Sequence, residues 1–150
     1  MNEQQIKSNE PVEQVITEEQ KQAWKRSTLE NAQKFLAQQG LIPESIFEGD
    51  SRYLPPLFAL WKIKCQNGRK YWVISGRLPT DVIDFSAASN ARDAIRYISY
   101  QWQMKAQGII DSGVRDKLQI DFANLLVNRA HGLYEIAEKD QMWVNEQTIQ

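Results

Sequence analysis

Leu57-Phe58-Ala59-Leu60-Trp61-Lys62-Ile63-Lys64-Cys65-Gln66-Asn67-Gly68-Arg69-Lys70-Tyr71-Trp72-Val73-Ile74-Ser75 sets two apolar-rich segments on either side of an Asn-Gly pair. Such a pair tolerates the two positive φ values of a type I′ turn, so the stretch reads as a β-hairpin closed by a two-residue loop. That loop pairs Gln66 with Arg69. Cys65 then lies opposite Lys70, Ile63 opposite Trp72, Trp61 opposite Ile74 and Ala59 opposite Gly76, all on one apolar face. Lys64 with Tyr71 and Lys62 with Val73 share a second, amphipathic face. A slip of one residue would scatter the tryptophans across both faces, so the pattern specifies this register strongly.

Upstream, Thr17-Glu18-Glu19-Gln20 matches a capping box and starts a helix. Trp24, Thr28, Leu29, Ala32, Phe35 and Leu36 recur at helical spacing, and Gly40 supplies the positive φ that ends it, which predicts a helix over 18–39. Residues 1–16 are polar and acidic around Pro11 and are expected to form a disordered leader to a single domain over 17–150. Between this helix and the hairpin, Ser45-Ile46-Phe47 reads as a short edge strand, Gly49-Asp50 as a turn and Pro55-Pro56 as extended chain.

Downstream, residues 76–90 read as a connection, with Gly76-Arg77-Leu78-Pro79-Thr80-Asp81 as its turn-like, most site-like part. Ser89 or Asn90 can cap a second helix carrying Ala91, Ala94, Ile95, Ile98, Trp102 and Ala106 and ending near Gly108. After Ser112-Gly113, a third helix places Leu118, Phe122, Leu125, Leu126, Leu133, Ile136 and Ala137 on one stripe. The expected fold is α+β: an N-terminal helix, a small antiparallel sheet built on the central hairpin, and two antiparallel C-terminal helices packed on its apolar face.

Composition narrows the function classes. A chain of 150 residues can bury a core without metals or staples, and a formal charge of -1 argues against a protein whose main partner is a phosphate backbone. The single cysteine, Cys65, forms no internal disulfide and fits a reducing cytoplasm. Residues 1–15 lack the apolar region of a signal peptide, and no apolar run approaches membrane-spanning length.

Few side chains carry a chemical pattern. His131 is the one histidine; with Glu135 a turn further on it makes half a metal site at most, and a catalytic zinc site usually takes three protein ligands, so no metal or other cofactor is expected. Cys65 reads as a small apolar filler. The Asp81 and Asp84 pair suits capping and solubility as well as acid–base work, and Gly76 stands alone where a phosphate loop needs further glycines, so no catalytic residue is assigned. Trp61 and Trp72, beside Ile63 and Ile74, read as core anchors rather than a stacking platform.

Tyr53-Leu54, Ala59-Leu60-Trp61-Lys62-Ile63-Lys64, Tyr71-Trp72-Val73-Ile74-Ser75-Gly76, Leu78-Pro79-Thr80-Asp81 and Ala91-Arg92-Asp93-Ala94 together resemble domain of unknown function 4826, a family of small bacterial single-domain proteins. The likeness extends to the first helix and to Asp121-Phe122-Ala123-Asn124-Leu125-Leu126, most of the chain after the leader. It implies no activity and carries over no catalytic residue. An acidic residue often follows the Ser-Gly of the strand in that family, where this chain has Arg77, which puts any charge-based role of the position in doubt.

The expected function is that of a small non-catalytic cytoplasmic interaction or accessory protein, with a protein partner or a second copy of itself, because catalytic groups are sparse and aromatic residues abundant. The alternative is a small-molecule or anion-binding domain or weak enzyme using Ser75, Arg77, Thr80 and Asp81 with Arg92 and Arg96. A third reading, nucleic-acid binding through Lys62, Lys64, Arg69 and Tyr71, has little charge in its favour.

Overall fold

The structure, a computed structural model, describes residues 16–144. Apart from Ile16, the expected leader lies outside the described residues. Helix α1 spans Glu18–Gln38 and opens on the capping box: Thr17 Oγ1 accepts from the Gln20 amide at 3.1 Å and Gln20 Oε1 accepts from the Thr17 amide at 3.0 Å. It closes at Gly40, whose φ of 80° lets the Gly40 amide donate to Ala37 O and the Leu41 amide to Leu36 O. Thr28, Ala32 and Leu36 form its buried stripe.

Five antiparallel strands make one sheet: β1 (Pro43–Ile46), β2 (Arg52–Leu54), β3 (Phe58–Cys65), β4 (Lys70–Gly76) and β5 (Asp81–Asp84). Their order is β1-β3-β4-β5, and β2 also pairs with β3. Where one edge strand was expected there are two. β1 covers the Ile63–Cys65 end of β3 and β2 covers the Phe58–Leu60 end, separated by a 3-10 turn at Glu48–Asp50. A cis Pro55–Pro56 bond joins β2 to β3. The connection expected over 76–90 is also more ordered than the sequence suggests, because Asp81–Asp84 pairs with Tyr71–Ile74 as β5.

The hairpin is present, but its register differs by one residue from the expectation. Leu60 pairs with Ile74, Trp61 with Val73, Lys62 with Trp72 and Ile63 with Tyr71. Only Gly68 takes a positive φ, 84°; Asn67 does not. The Gly68 amide donates to Cys65 O at 3.0 Å and the Cys65 amide to Arg69 O at 2.9 Å, which closes a three-residue loop with a left-handed glycine at its end. Asn67 holds this turn from both sides, accepting from the Arg69 amide at 2.9 Å and donating to Tyr71 Oη at 3.0 Å.

The tryptophans therefore lie on opposite faces, and both faces are buried. Ala59, Trp61, Ile63, Cys65, Tyr71 and Val73 pack with Ala32 and Leu36 of α1. Phe58, Leu60, Trp72 and Ile74 pack under α2 (Ala91–Asp111) and α3 (Lys117–Ala137). The sheet is the middle layer between one helix and two. Asn90 caps α2 by accepting from the Asp93 amide, and Asp116 caps α3 by accepting from the Leu118 amide. Gly108 lies inside α2, which continues to Asp111 before Gly113 turns the chain with a φ of 75°. The two helices are antiparallel, and a Trp102 Nε1 donation to Asp81 Oδ2 at 2.9 Å ties α2 to the start of β5.

Candidate functional site

The six residues expected to form an anion site are not brought together. Ser75 is fully buried on the α1 side, where its hydroxyl donates to Thr28 O at 2.7 Å. Asp81 accepts from Trp102 Nε1 and from the Val82 amide, Thr80 is half-buried beside it, and Arg77 is exposed with its amide donating to Leu57 O. Arg92 sits about 15 Å further back along α2 than Trp102, at 1.5 Å per residue. There its guanidinium donates to Ala137 O at 2.7 Å and to Asp140 at 2.6 Å. Arg96 bridges Asp93 and Glu138, each at 2.9 Å, and its pKa is raised chiefly by the Glu138 hydrogen bond. These arginines clamp the start of α2 to the end of α3. Their charge is already matched by carboxylates.

The hairpin's basic residues are likewise committed. Lys62 pairs with Asp50 at 2.9 Å and lies over the Phe47 and Phe85 rings; Arg69 pairs with Asp84, and Lys64 approaches Glu44 at 3.7 Å. Tyr71 is on the other face of the sheet, packed with the α1 cluster. Cys65 is buried there too, and burial pushes its thiol pKa up, which suits an inert filler. His131 and Glu135 are exposed on α3, and among the described residues no group of three or more His, Cys, Asp or Glu is placed to hold a metal ion.

What the fold does leave open is the outer side of α3. The stripe read from the sequence splits in two. Leu126, Leu133 and Ala137 are buried, joined by Ala123 and Ala130 from outside that stripe, whereas Leu118, Phe122 and Leu125 are 78%, 41% and 37% exposed. Further along the same side, Arg129, Gly132 and Ile136 line a pocket of about 190 Å³ with Leu57, Phe58, Leu78, Asn128 and Leu133. A second pocket of about 160 Å³, lined by Arg52, Tyr53, Leu54, Phe58, Ile136, Met142 and Trp143, shares Phe58 and Ile136 with the first. The two form one apolar groove along the start of β3 and the end of α3. Arg129 is half-buried at its edge and makes no ion pair among the described residues. A Cβ added at Gly132 would meet no atom within 4 Å.

A second feature lies on the α1 side. Trp61 Nε1 and Tyr53 Oη are buried without a hydrogen-bond partner among the described residues, their rings 5.0 Å apart, with Lys25 Nζ 4.5 Å from the Tyr53 ring. Burial, with Glu48 nearby, raises the Tyr53 pKa and keeps the phenol neutral. Neither feature was readable in the sequence, because each depends on which face a strand or helix turns inward.

A family model described as a domain of unknown function, DUF4826, matches residues 18–143, and the chain belongs to that family. No curated protein and no solved structure matches the chain.

Proposed function

We propose that this member of the DUF4826 family is a non-catalytic bacterial accessory protein of the cytoplasm that acts by binding another protein. The observation that carries this reading is the outer side of α3. Three large apolar side chains stand in solvent there, on a helix whose Ala123, Leu126, Ala130, Leu133 and Ala137 are packed into the core. Exposed apolar stripes that continue into a groove are the usual form of a protein contact surface. The buried, inert Cys65 agrees with a reducing compartment, and among the described residues no helix is long and apolar enough to cross a membrane. The arginine-loop alternative has less support, since Arg92 and Arg96 are occupied by Ala137 O, Asp140 and Glu138 at the start of α2, whereas Asp81 bonds Trp102 at its middle.

The test compares the wild-type chain with Phe122→Asp in affinity capture from native bacterial lysate, followed by binding of the purified candidate to both chains. A protein bound by the wild type and lost with Phe122→Asp, in lysate and when purified, is the expected result. Retention of the same proteins by both chains would remove α3 as the contact surface.

A further inference from the structure

Leu118, Phe122, Leu125, Arg129, Gly132 and Ile136 follow one another at spacings of four, three, four, three and four residues, the heptad seam by which one helix packs along another. The buried residues of α3 make a second seam of the same kind, displaced from the first by roughly 100° around the helix at 3.6 residues per turn. The inner seam is filled by this chain. The outer seam is solvent-exposed over its first half and lies in the apolar groove over its second, where Leu57 and Leu78 form the opposite wall.

We propose that the outer seam docks an amphipathic helix of a different protein, one that carries apolar residues at heptad spacing and an acidic residue opposite Arg129. This inference rests on the interaction reading above and adds the chemistry of the partner. Three features of the seam choose the occupant. Its length, about 27 Å at 1.5 Å per residue, matches a helix of five turns and exceeds what a small ligand would span. Arg129 interrupts the apolar track at mid-length; a charge at a seam position selects a partner with the opposite charge in register and penalises one without it. Gly132 lacks a side chain where the partner enters the groove, and the open space beside it lets a large apolar anchor approach the backbone.

The same charge argues against a second copy of this chain as the occupant. No seam position holds a carboxylate, so pairing two outer seams would set Arg129 against apolar residues or against its own counterpart. The expected species in the absence of partner is a monomer.

The test is a selection from a phage-displayed library of helical peptides about 20 residues long, long enough for the seam, with heptad seam positions randomised, against the full wild-type chain. Enriched peptides are then synthesised and their binding followed by fluorescence anisotropy to the wild type, Phe122→Asp and Arg129→Glu. The expected consensus has large apolar seam residues and one central Asp or Glu. Affinity should fall about tenfold or more with either variant, the effect of losing a central anchor or a charge pair. Replacing the peptide's acid by Lys should restore binding to Arg129→Glu, a charge swap that general destabilisation would not produce. Phe122 is exposed and Arg129 half-buried at the groove edge, and unchanged thermal melts confirm intact folding.

Enriched peptides that lack the acid, or that bind all three chains alike, would overturn the seam while leaving an interaction role intact. No enrichment over the Phe122→Asp chain, together with no seam-dependent partner in lysate, would overturn both. Sedimentation of the wild type as a dimer that Phe122→Asp dissociates would assign the seam to a second copy and refute the proposal.

Discussion

Trp61→Phe and Trp72→Phe should differ sharply in stability, although both tryptophans are 1% exposed on adjacent strands. Each substitution removes a similar volume from a closed core, so the packing loss is shared, at roughly 1–3 kcal/mol for a partial truncation of this kind. The indole N–H separates them. Trp72 Nε1 donates to Ala88 O at 3.0 Å, and Phe there would leave a buried carbonyl without its partner, an additional loss of about 1–3 kcal/mol. Trp61 Nε1 has no partner among the described residues, so Phe removes a buried unsatisfied donor and recovers about 1–3 kcal/mol, offsetting most of its packing loss. Trp72→Phe should therefore be less stable than Trp61→Phe by about 2–6 kcal/mol, or about 4–24 °C in Tm for a domain of this size. Urea unfolding at 25 °C, followed by far-UV circular dichroism with matched m values, measures it. A Trp61→Phe loss equal to or larger than that of Trp72→Phe would refute the reasoning. It would show that the Trp61 N–H is satisfied or that the tryptophans share one environment, as the two-residue loop would require.

Gly76→Ala should be the most damaging glycine substitution, by about 2–4 kcal/mol. Its φ is 121°, and a Cβ would lie 2.8 Å from Leu57 O and 2.9 Å from Phe58 Cα, backbone atoms that cannot swing aside; a thermal shift of less than a few degrees would mean that β3 and β4 part there easily. Asp84→Asn should remove a pH-dependent contribution of under about 1 kcal/mol, in keeping with a partly exposed pair. The Ser86 amide first, and Arg69 less strongly, hold the Asp84 carboxyl below its ordinary 3.8, so the wild type gains over Asp84→Asn above that pH and loses the gain as pH falls through the lower folded value. Urea midpoints of the two chains from pH 7 down to pH 2 should converge only below pH 3.8; a difference constant across that range would exclude ionisation as its source.

The hairpin, the capping box at Thr17 and the three long helices were legible because each rests on local chemistry: an Asn-Gly turn, a hydroxyl three residues before a glutamine, apolar residues at 3.6 spacing. The register was not. Asn-Gly fits a two-residue loop, and it also fits a three-residue loop in which glycine alone is left-handed. The strand pattern would normally decide between them. Here β3 is buried at every position from Phe58 to Trp61, and β4 from Tyr71 to Ser75, because helices cover both faces of the sheet. A strand buried on both sides loses the alternation that reports its register. β5 was missed for a related reason: four residues between Pro79-Thr80 and Phe85 are too short for a period, and the strand exists because it pairs with β4.

The misreading of α3 has a different origin, one that bears on function. Ranking side chains by hydrophobicity turns Leu118, Phe122 and Leu125 inward, since leucine and phenylalanine gain more from burial than alanine does. In the fold, Ala123, Ala130 and Ala137 share the inner positions with Leu126 and Leu133. The core on this side holds Ala91, Ala94 and Ala106 of α2 with Ala123, Ala130 and Ala137 of α3, and these two helices pack extensively against each other. Helix separation is set by the side chains at the contact, so a small-residue seam permits an approach that larger side chains would prevent. Trp72 and Trp102 fill the space toward the sheet. The larger residues of α3 flank that contact, and Leu118, Ile120, Phe122, Leu125 and Tyr134 reach solvent. The outer seam is thus a consequence of how α2 and α3 pack. Only its content was free to vary with function, and that content is an apolar heptad track broken by a single unpaired arginine among the described residues.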